Sequence, residues 1–162
     1  MIEIRPIQPH EITVAKRVIF TVAFELFGGA ATLEESIAKF SAQGKLIEMD
    51  NVQKNYFDNG GVFLVTIDSG YIIGTGAIRF LEKDVCEIKR MWLLSKYHGQ
   101  GLGYRMMQEL LSTARKMGYS VVRLETDPII QTRAVLFYKR LGFYEIPRYG
   151  DDPDDMGMEL HL

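Results

Sequence analysis

A change of hydrophobic periodicity near residue 100 constrains the fold more than any other feature of this sequence. Before it, residues 62–67, 71–80 and 85–94 are rich in apolar and β-branched side chains, and short polar turns separate them. Such segments predict an antiparallel meander of three strands. After it, apolar residues recur at helical spacing over 101–117, and a short strand is expected at 121–124. Hairpins followed by a strand–helix–strand segment predict an α+β domain with a mixed sheet.

The rest of the chain adds elements at both ends. A short helix is expected over residues 32–41, because Thr32 can cap it and Glu35 lies where a capping box needs an acid. The segment 45–55 is ambiguous between helix and loop. The remaining predictions are strands at 2–6, 143–146 and 156–160, a helix that follows His10 and ends at about Phe27, and a helix over 131–141.

Length and composition indicate one ordinary folded domain over residues 1–162. The chain has 47% hydrophobic and 25% charged residues with a net charge of -2, which argues against nucleic acid as the main partner. Cys86 is the only cysteine, so no internal disulfide can form, and we interpret it as a small core residue. The most apolar window, residues 18–27, is too short to span a bilayer and contains Glu25. We therefore expect a cytoplasmic protein that does not bind membranes.

The segment His98-Gly99-Gln100-Gly101-Leu102-Gly103 lies between a predicted strand and a predicted helix. A helix N-terminus leaves backbone N–H groups unpaired and carries partial positive charge, and glycines let an anion approach those groups closely. The loop therefore predicts a phosphate site. A dinucleotide fingerprint is excluded because Met106 replaces its third glycine, and no nucleotide P-loop string occurs. A glycine-rich turn without a ligand remains the alternative.

Several ordered motifs resemble the GNAT acetyltransferase superfamily. The loop is similar to that family's [Gln/Arg]-x-x-Gly-x-[Gly/Ala] motif, although His98 departs from Gln or Arg. Residues 87–93 and 124–126 resemble the family's fourth and fifth strands. Residues 134–143 resemble its Ala-x-x-x-Tyr-x-x-x-Gly-Phe signature. The resemblance covers residues 62–162, and the N-terminal part matches only in its layout.

The resemblance implies a mostly antiparallel, splayed central sheet flanked by about four helices. It implies an enzyme that transfers an acetyl group directly from acetyl-CoA to a primary amine in a ternary complex, without a metal. The acceptor could be a small amine, an amino acid or a peptide, and a homodimer is compatible with the family. The alternative is an acyl-CoA-binding sensor on the same fold without transferase activity. A longer acyl donor also stays open.

The resemblance also assigns cofactor contacts. The fourth and fifth strands would separate, and the backbone of the fourth would pair with the pantetheine arm. Gln131 lies where the family often has an asparagine that reaches this arm. The alternative is that Gln131 is only a polar residue at the start of a helix and does not contact the cofactor. The other expected contacts are strand residues Met91, Trp92 and Leu93 and loop residues His98, Gly99, Gln100, Gly101, Leu102, Gly103 and Tyr104, whose N–H groups would hold the pyrophosphate.

Three side chains are the catalytic candidates. The family signature places Tyr138 near the cofactor sulfur, where a phenol can donate a hydrogen bond to the leaving thiolate. From spacing alone, Tyr138 could equally be a core residue. Glu87 or Glu125 would accept the amine proton, directly or through water, unless both are solvated strand-edge carboxylates. Asp127 is a weaker option for the base.

Two charged features of the sequence lie near the expected site. Arg90 alternates with Ile88 and Trp92, so a regular strand would place its charge on an apolar face. Either a β-bulge shifts it or an acidic partner neutralises it, and it could also contact a substrate carboxylate. The run Asp151-Asp152-Pro153-Asp154-Asp155 predicts a solvated turn, which could also attract a cationic amine.

Overall fold

One seven-stranded sheet forms the centre of the computed structural model, which describes all 162 residues. The strands lie in the order β1-β2-β3-β4-β5-β7-β6, and only β4 and β5 pair in parallel. The fold class predicted from periodicity is therefore confirmed. The strands are β1 (Ile2–Pro6), β2 (Val62–Asp68), β3 (Tyr71–Glu82), β4 (Val85–Leu93), β5 (Val121–Thr126), β6 (Tyr144–Ile146) and β7 (Met156–His161), and the helices are α1 (Ile12–Phe27), α2 (Leu33–Ala42), α3 (Leu102–Lys116) and α4 (Thr132–Arg140).

Helices cover both faces of the sheet because its central strands are apolar on both sides. In β2, Phe63 and Val65 pack with the buried face of α1, whereas Leu64 packs with α3 and α4. Cys86 is fully buried in the cluster under α3, and burial raises the pKa of its thiol to about 12. The prediction of a core cysteine is confirmed. No helix in the structure has both the length and the apolar character needed to cross a membrane.

The ambiguous segment before β2 forms two short helical turns. A 3-10 turn spans Ile47–Asn51 and a π turn spans Gln53–Phe57. Met49 and Tyr56 are fully buried and pack in the cluster on the α1 face of the sheet. This packing also fixes the backbone of Glu48 near β4. Thr32 caps α2 as predicted, accepting the N–H of Glu35 at 3.2 Å.

A β-bulge interrupts β4 at Arg90. Between the pairs Ala77↔Lys89 and Thr75↔Trp92, β3 advances by two residues and β4 by three. Arg90 has a φ of 55°, and the hydroxyl of Thr75 donates to its carbonyl at 2.6 Å. The extra residue reverses the alternation, so Ile88 packs with the α3 cluster while Trp92 packs with the α1 cluster. The predicted bulge is confirmed.

The sheet opens between β4 and β5. Their parallel pairing covers only Val85↔Val121, Cys86↔Val122 and Glu87↔Arg123. Beyond this point β4 continues along β3 to Leu93, and β5 continues along β7 to Thr126. The facing edges of the two strands are therefore unpaired with each other from Ile88 and Leu124 onward, which leaves a gap inside the sheet.

Candidate active site

The glycine loop presents a row of free backbone N–H groups at the start of α3. Gly101 is the N-cap residue in left-handed conformation, with a φ of 78°, and no side chain caps the helix. Arg105 is the first residue after Gly99 whose N–H is bonded within the chain, to the carbonyl of Gly101 at 3.0 Å. Gly99 is also left-handed, and a Cβ added at Gly99 or Gly101 would meet no atom within 4 Å. The loop is thus an open cradle of N–H groups of the kind that binds phosphate.

His98 braces this loop against the end of β4. Its Nε2 lies 3.0 Å from the carbonyl oxygen of Leu93. Because a carbonyl can only accept, Nε2 carries the hydrogen and donates. The imidazole is therefore occupied in positioning the loop, and the N–H groups of the loop are left to face an anion.

A cavity of about 940 Å³ lies where β4 and β5 separate. It brings together six of the predicted site residues, whereas Leu93 and the loop of residues 98–104 lie outside its lining. Helices α1 and α2, the segment after β5 and the acidic turn before β7 complete its walls. The predicted site residues that line it are Glu87, Met91, Trp92, Glu125, Gln131 and Tyr138.

Tyr138 is a buried residue that lines this cavity. The residue is 7% exposed, and its ring lies 5.8 Å from that of Phe143 and 5.6 Å from that of Phe137. Burial raises the pKa of Tyr138 to about 12, so the phenol is protonated at neutral pH. The residue therefore belongs to the core and also lines the cavity, and its role near the cofactor sulfur stays a prediction.

The two glutamates predicted as bases are both held by other groups. Glu87 is 6% exposed and lies 3.3 Å from the guanidinium of Arg79 and 3.9 Å from the Lys89 ammonium. Glu125 accepts two backbone N–H groups, from Tyr149 and Gly150, each at 3.0 Å. Neither carboxylate is a freely solvated strand-edge group.

Tyr149 is a residue whose location sequence reasoning missed. Its hydroxyl is buried near the Glu87 carboxylate, and burial followed by the charge of Glu87 raises its pKa. Its N–H holds Glu125, which lies 24 residues earlier in the chain. No periodic pattern links two residues so far apart, so only the fold places them together.

Gln131 closes the loop between β5 and α4. Its side-chain oxygen accepts the Thr126 hydroxyl and the Asp127 N–H, each at 3.1 Å. The Asp127 carboxylate accepts the N–H groups of Ile129 and Ile130 at 2.9 and 3.0 Å. Asp127 therefore shapes this loop, and the amide nitrogen of Gln131 keeps its two hydrogens for a further acceptor.

Arg90 has the acidic partner expected if its charge is buried. Its Nε lies 2.6 Å from Glu48 Oε1, which also accepts the Tyr56 hydroxyl at 3.0 Å. Burial would raise the pKa of Glu48, but the hydrogen bond and charge of Arg90 lower it below its ordinary value. Both explanations offered for Arg90, the bulge and the partner, are confirmed.

The acidic turn places the carboxylate of Asp155 at the cavity, and the sequence alone did not distinguish this residue from its acidic neighbours. Asp155 lines the cavity and lies in none of the ion pairs of the chain. Burial, and then the charges of Asp152, Glu125 and Asp127, raise its pKa to about 6. The run of aspartates indicated negative charge in this turn, but not that carboxylates from β5 and its following loop converge on one of its members.

Comparison with known proteins places this geometry in a family. A sequence model of the "Acetyltransferase (GNAT) family" matches residues 30–143. An uncharacterized N-acetyltransferase of Escherichia coli K12, YjgM, is 31% identical over 101 residues, and an IAA acetyltransferase of Azospirillum brasilense is 34% identical over 104 residues. These matches cover 60% and 62% of this chain, and the chain spans only 60% and 67% of the length of these relatives.

Solved structures share the whole fold. A GNAT-family acetyltransferase from Staphylococcus aureus superimposes with a TM-score of 0.83 at 19% identity, over 100% of this chain and 99% of its own. The PaiA N-acetyltransferase of Thermoplasma acidophilum, solved in complex with coenzyme A, superimposes with a TM-score of 0.78 at 20% identity over the same shares. The splayed sheet, the glycine loop and the match over residues 30–143 agree, and this chain belongs to the GNAT acetyltransferase family.

Proposed function

We propose that this chain transfers an acetyl group from acetyl-CoA to a primary amine by direct attack within a ternary complex. The observation that carries this proposal is the gap between β4 and β5. It begins where the parallel pairing ends at Glu87↔Arg123 and opens into the cavity that contains Tyr138. One site could then hold both substrates, and no covalent intermediate on the protein is needed.

The residues around the gap fit coenzyme A. The free N–H groups of residues 99–104 suit a pyrophosphate, since left-handed Gly99 and Gly101 leave open space where side chains would stand. The unpaired edge of β4 over Met91, Trp92 and Leu93 can hydrogen-bond an extended amide-containing arm. Gln131 can donate to a carbonyl of the same arm. Bound acetyl-CoA supplies the activated thioester carbonyl.

In this mechanism Tyr138 stabilises the leaving sulfur. The amine nitrogen bonds to the carbonyl carbon while the carbon–sulfur bond breaks, and the electron pair of that bond goes to sulfur. A thiol has a pKa of about 8.5, well below the value of about 12 for Tyr138. Complete proton transfer from this phenol to a thiolate would be uphill, so we assign Tyr138 the role of hydrogen-bond donor.

The amine must lose its proton before it can attack. Among the carboxylates of the cavity, Glu87 is paired with Arg79 and Lys89, and Glu125 is held by two N–H groups. Asp155 has a pKa of about 6, closer to neutrality than an ordinary aspartate. We propose that Asp155 takes the ammonium proton, directly or through water, with Glu87 and Glu125 as the alternatives. The second nitrogen proton leaves to solvent as the amide forms.

Two measurements test the proposed function. Calorimetric titration with acetyl-CoA should give binding, and coenzyme A without the acetyl group should compete for the same site. Release of free thiol should then depend on added amine, with one N-acetylated product per thiol by mass spectrometry. Acetyl-CoA binding without acetyl transfer to any amine would favour the sensor alternative. No binding at millimolar cofactor would contradict both readings.

A further inference from the structure

The cavity has an apolar side formed by α1 and α2. Ile19, Phe20 and Leu46 line it as buried residues, and the rings of Phe20 and Phe40 are stacked with centroids 6.2 Å apart.

The apolar side continues to the cavity mouth. Phe27, Ile129 and Ile130 line the cavity although they are 45%, 84% and 43% exposed. Large apolar side chains exposed together beside a cleft indicate a ligand or partner with apolar surface, because their exposure to water is otherwise unfavourable. They come from two separate elements, the end of α1 and the loop before α4, so they border the cavity from two directions.

The lining of the cavity also carries an excess of acidic side chains. Six carboxylates line the cavity against three cationic side chains. Two of those cations are already engaged, Arg90 with Glu48 at 2.6 Å and Lys89 with Glu87 at 3.9 Å. The third, Lys45, is exposed beside the apolar side. In contrast, the carboxylates of Asp152, Asp154 and Asp155 take part in no ion pair, although the Arg148 guanidinium donates to the Asp152 carbonyl at 3.5 Å. The acidic turn therefore keeps an excess of negative charge.

We propose that the acceptor is a primary amine with a single positive charge and an aromatic or branched aliphatic body, without a carboxylate next to the amine. Its ammonium group lies toward Asp155 and its body packs against Phe20, Phe27 and Phe40. This inference rests on the proposed transferase function and names the substrate class of the same cavity.

Each property of the proposed acceptor follows from the side chains on one wall of the cavity. A carboxylate beside the amine would be held close to the acidic turn, where like charges repel. The second ammonium of a polyamine would lie against the apolar side and lose hydration without a partner. A small hydroxylated amine would leave the aromatic side chains in contact with water.

Four amines form two matched pairs that test the inference. Phenethylamine and ethanolamine differ in the apolar body, and phenylalanine amide and phenylalanine differ in the carboxylate. Because the amine of phenylalanine amide is less basic than that of phenylalanine, kcat/KM is calculated on the concentration of neutral amine. The expected result is a value at least tenfold higher for the first member of each pair, with spermidine below phenethylamine. Equal values within either pair, or a preference for spermidine, would overturn the inferred class while leaving the transferase function intact.

Variants assign these preferences to the two walls. Phe27→Ala should reduce kcat/KM severalfold for phenethylamine and little for ethanolamine, whereas Tyr71→Ala, which removes an aromatic ring that is 75% exposed and outside the cavity, should change neither. Asp154→Asn should narrow the difference between phenylalanine amide and phenylalanine. Asp151→Asn, in the same turn but outside the lining, should not. Equal effects of test and control variants would contradict the proposed placement of the amine between the aromatic residues and the acidic turn.

A binding readout separates this inference from the chemistry. Trp92 is the only tryptophan and lines the cavity, so its fluorescence should respond to phenethylamine more strongly than to ethanolamine even without turnover. Binding with that preference and no acetylation would contradict the proposed function but support the class of ligand. The rim could instead be covered by a second copy of the chain. A dimer in sedimentation that Phe27→Ala dissociates without changing amine preference would overturn the inference.

Discussion

The guanidinium Nε of Arg90 lies 2.6 Å from Glu48 Oε1, which joins the bulge of β4 to the turn Ile47–Asn51 across 42 residues of sequence. Arg90 holds a left-handed backbone conformation that is costly for a non-glycine residue. The ion pair and the Thr75 hydroxyl bond to the Arg90 carbonyl therefore stabilise the bulge. Because the bulge turns Trp92 toward α1, this pair also shapes the wall of the cavity.

Removing Glu48 should destabilise the fold. Glu48→Ala leaves a largely buried guanidinium without its partner, and we expect a loss of about 2–3 kcal/mol in the free energy of unfolding at pH 7, measured by urea denaturation. The control is Glu34→Ala, which removes the partner of Arg17 from an exposed pair at 2.7 Å and should leave the midpoint unchanged. Similar losses for both variants would mean that the buried pair has no special role.

The same pair makes stability depend on acid. Because the folded pKa of Glu48 is lowered, its contribution is complete above the unfolded value and is lost as pH falls through the folded one. The difference between wild type and Glu48→Ala should therefore shrink between pH 5 and pH 3. A stability difference that stays constant from pH 5 to pH 3 would mean that the ionised Glu48 carboxylate does not stabilise the fold through Arg90.

Gly101→Ala should weaken acetyl-CoA binding beyond its effect on stability. The added methyl enters the open cradle at the start of α3, and a φ of 78° is strained for alanine by about 1–2 kcal/mol. Gly118→Ala is a matched control, since Gly118 follows the other end of α3 with a φ of 90° and open space around it. Both variants should lower the melting temperature, but only Gly101→Ala should raise the dissociation constant of acetyl-CoA, by about tenfold or more. Equal affinities would remove the loop from the binding site.

Tyr138→Phe should lower kcat by about 10- to 100-fold while the affinity for acetyl-CoA stays nearly constant. The ring contacts with Phe137 and Phe143 survive this substitution, so the fold should be retained. Tyr71→Phe removes a hydroxyl from an exposed turn-side tyrosine and should have no effect on kcat. An unchanged kcat in Tyr138→Phe would show that the tyrosine serves only the core.

Asp155→Asn should change the dependence of activity on pH. In the wild-type enzyme kcat/KM should rise with pH through about 6 as Asp155 loses its proton, and this limb should disappear in the variant along with most of the activity. Matched profiles of Glu87→Gln and Glu125→Gln identify the base if Asp155 is not it. A low-pH limb that persists in Asp155→Asn would assign the proton to another group.

The same aspartate should oppose folding at neutral pH. Its folded pKa is raised, so the folded state is favoured at low pH, and stability falls as pH rises from the unfolded value of about 4 through about 6. Asp155→Asn should thus be more stable than wild type at pH 8, by no more than about 1 kcal/mol because the group is only partly buried and solvent screens its charge. This gain should vanish at pH 3.5. Thermal melts of both proteins at pH 8 and pH 3.5 measure this difference. A variant less stable than wild type at pH 8 would contradict the prediction.

Local patterns predicted the strands, the helices, the cap at Thr32 and the open helix start at Gly101, because each depends on residues close in sequence. The misfit of Arg90 on its strand was also visible, and it correctly indicated a bulge or an acidic partner. The identity of that partner was hidden, since Glu48 lies 42 residues from Arg90 in a segment that was ambiguous between helix and loop.

The candidate site was predictable in part for the same reason. Tyr138, Gln131 and both glutamates line one cavity as the resemblance implied, although their catalytic roles stay predictions. The raised pKa of Asp155 could not be predicted, because it arises from charges that β5, its following loop and the acidic turn bring together. The N–H groups that hold Glu125 are likewise 24 and 25 residues away.

The short contact between β4 and β5 has a consequence for how the molecule loses its structure. Only three residue pairs link β1–β4 to β5, β7 and β6 within the sheet, so this line is where local opening should occur first in hydrogen exchange. An extended ligand arm lying in the gap would add backbone hydrogen bonds along that line. The chain should then melt as a more cooperative unit, with slowed exchange at both facing strand edges, so that the cofactor serves as a removable eighth strand of the sheet.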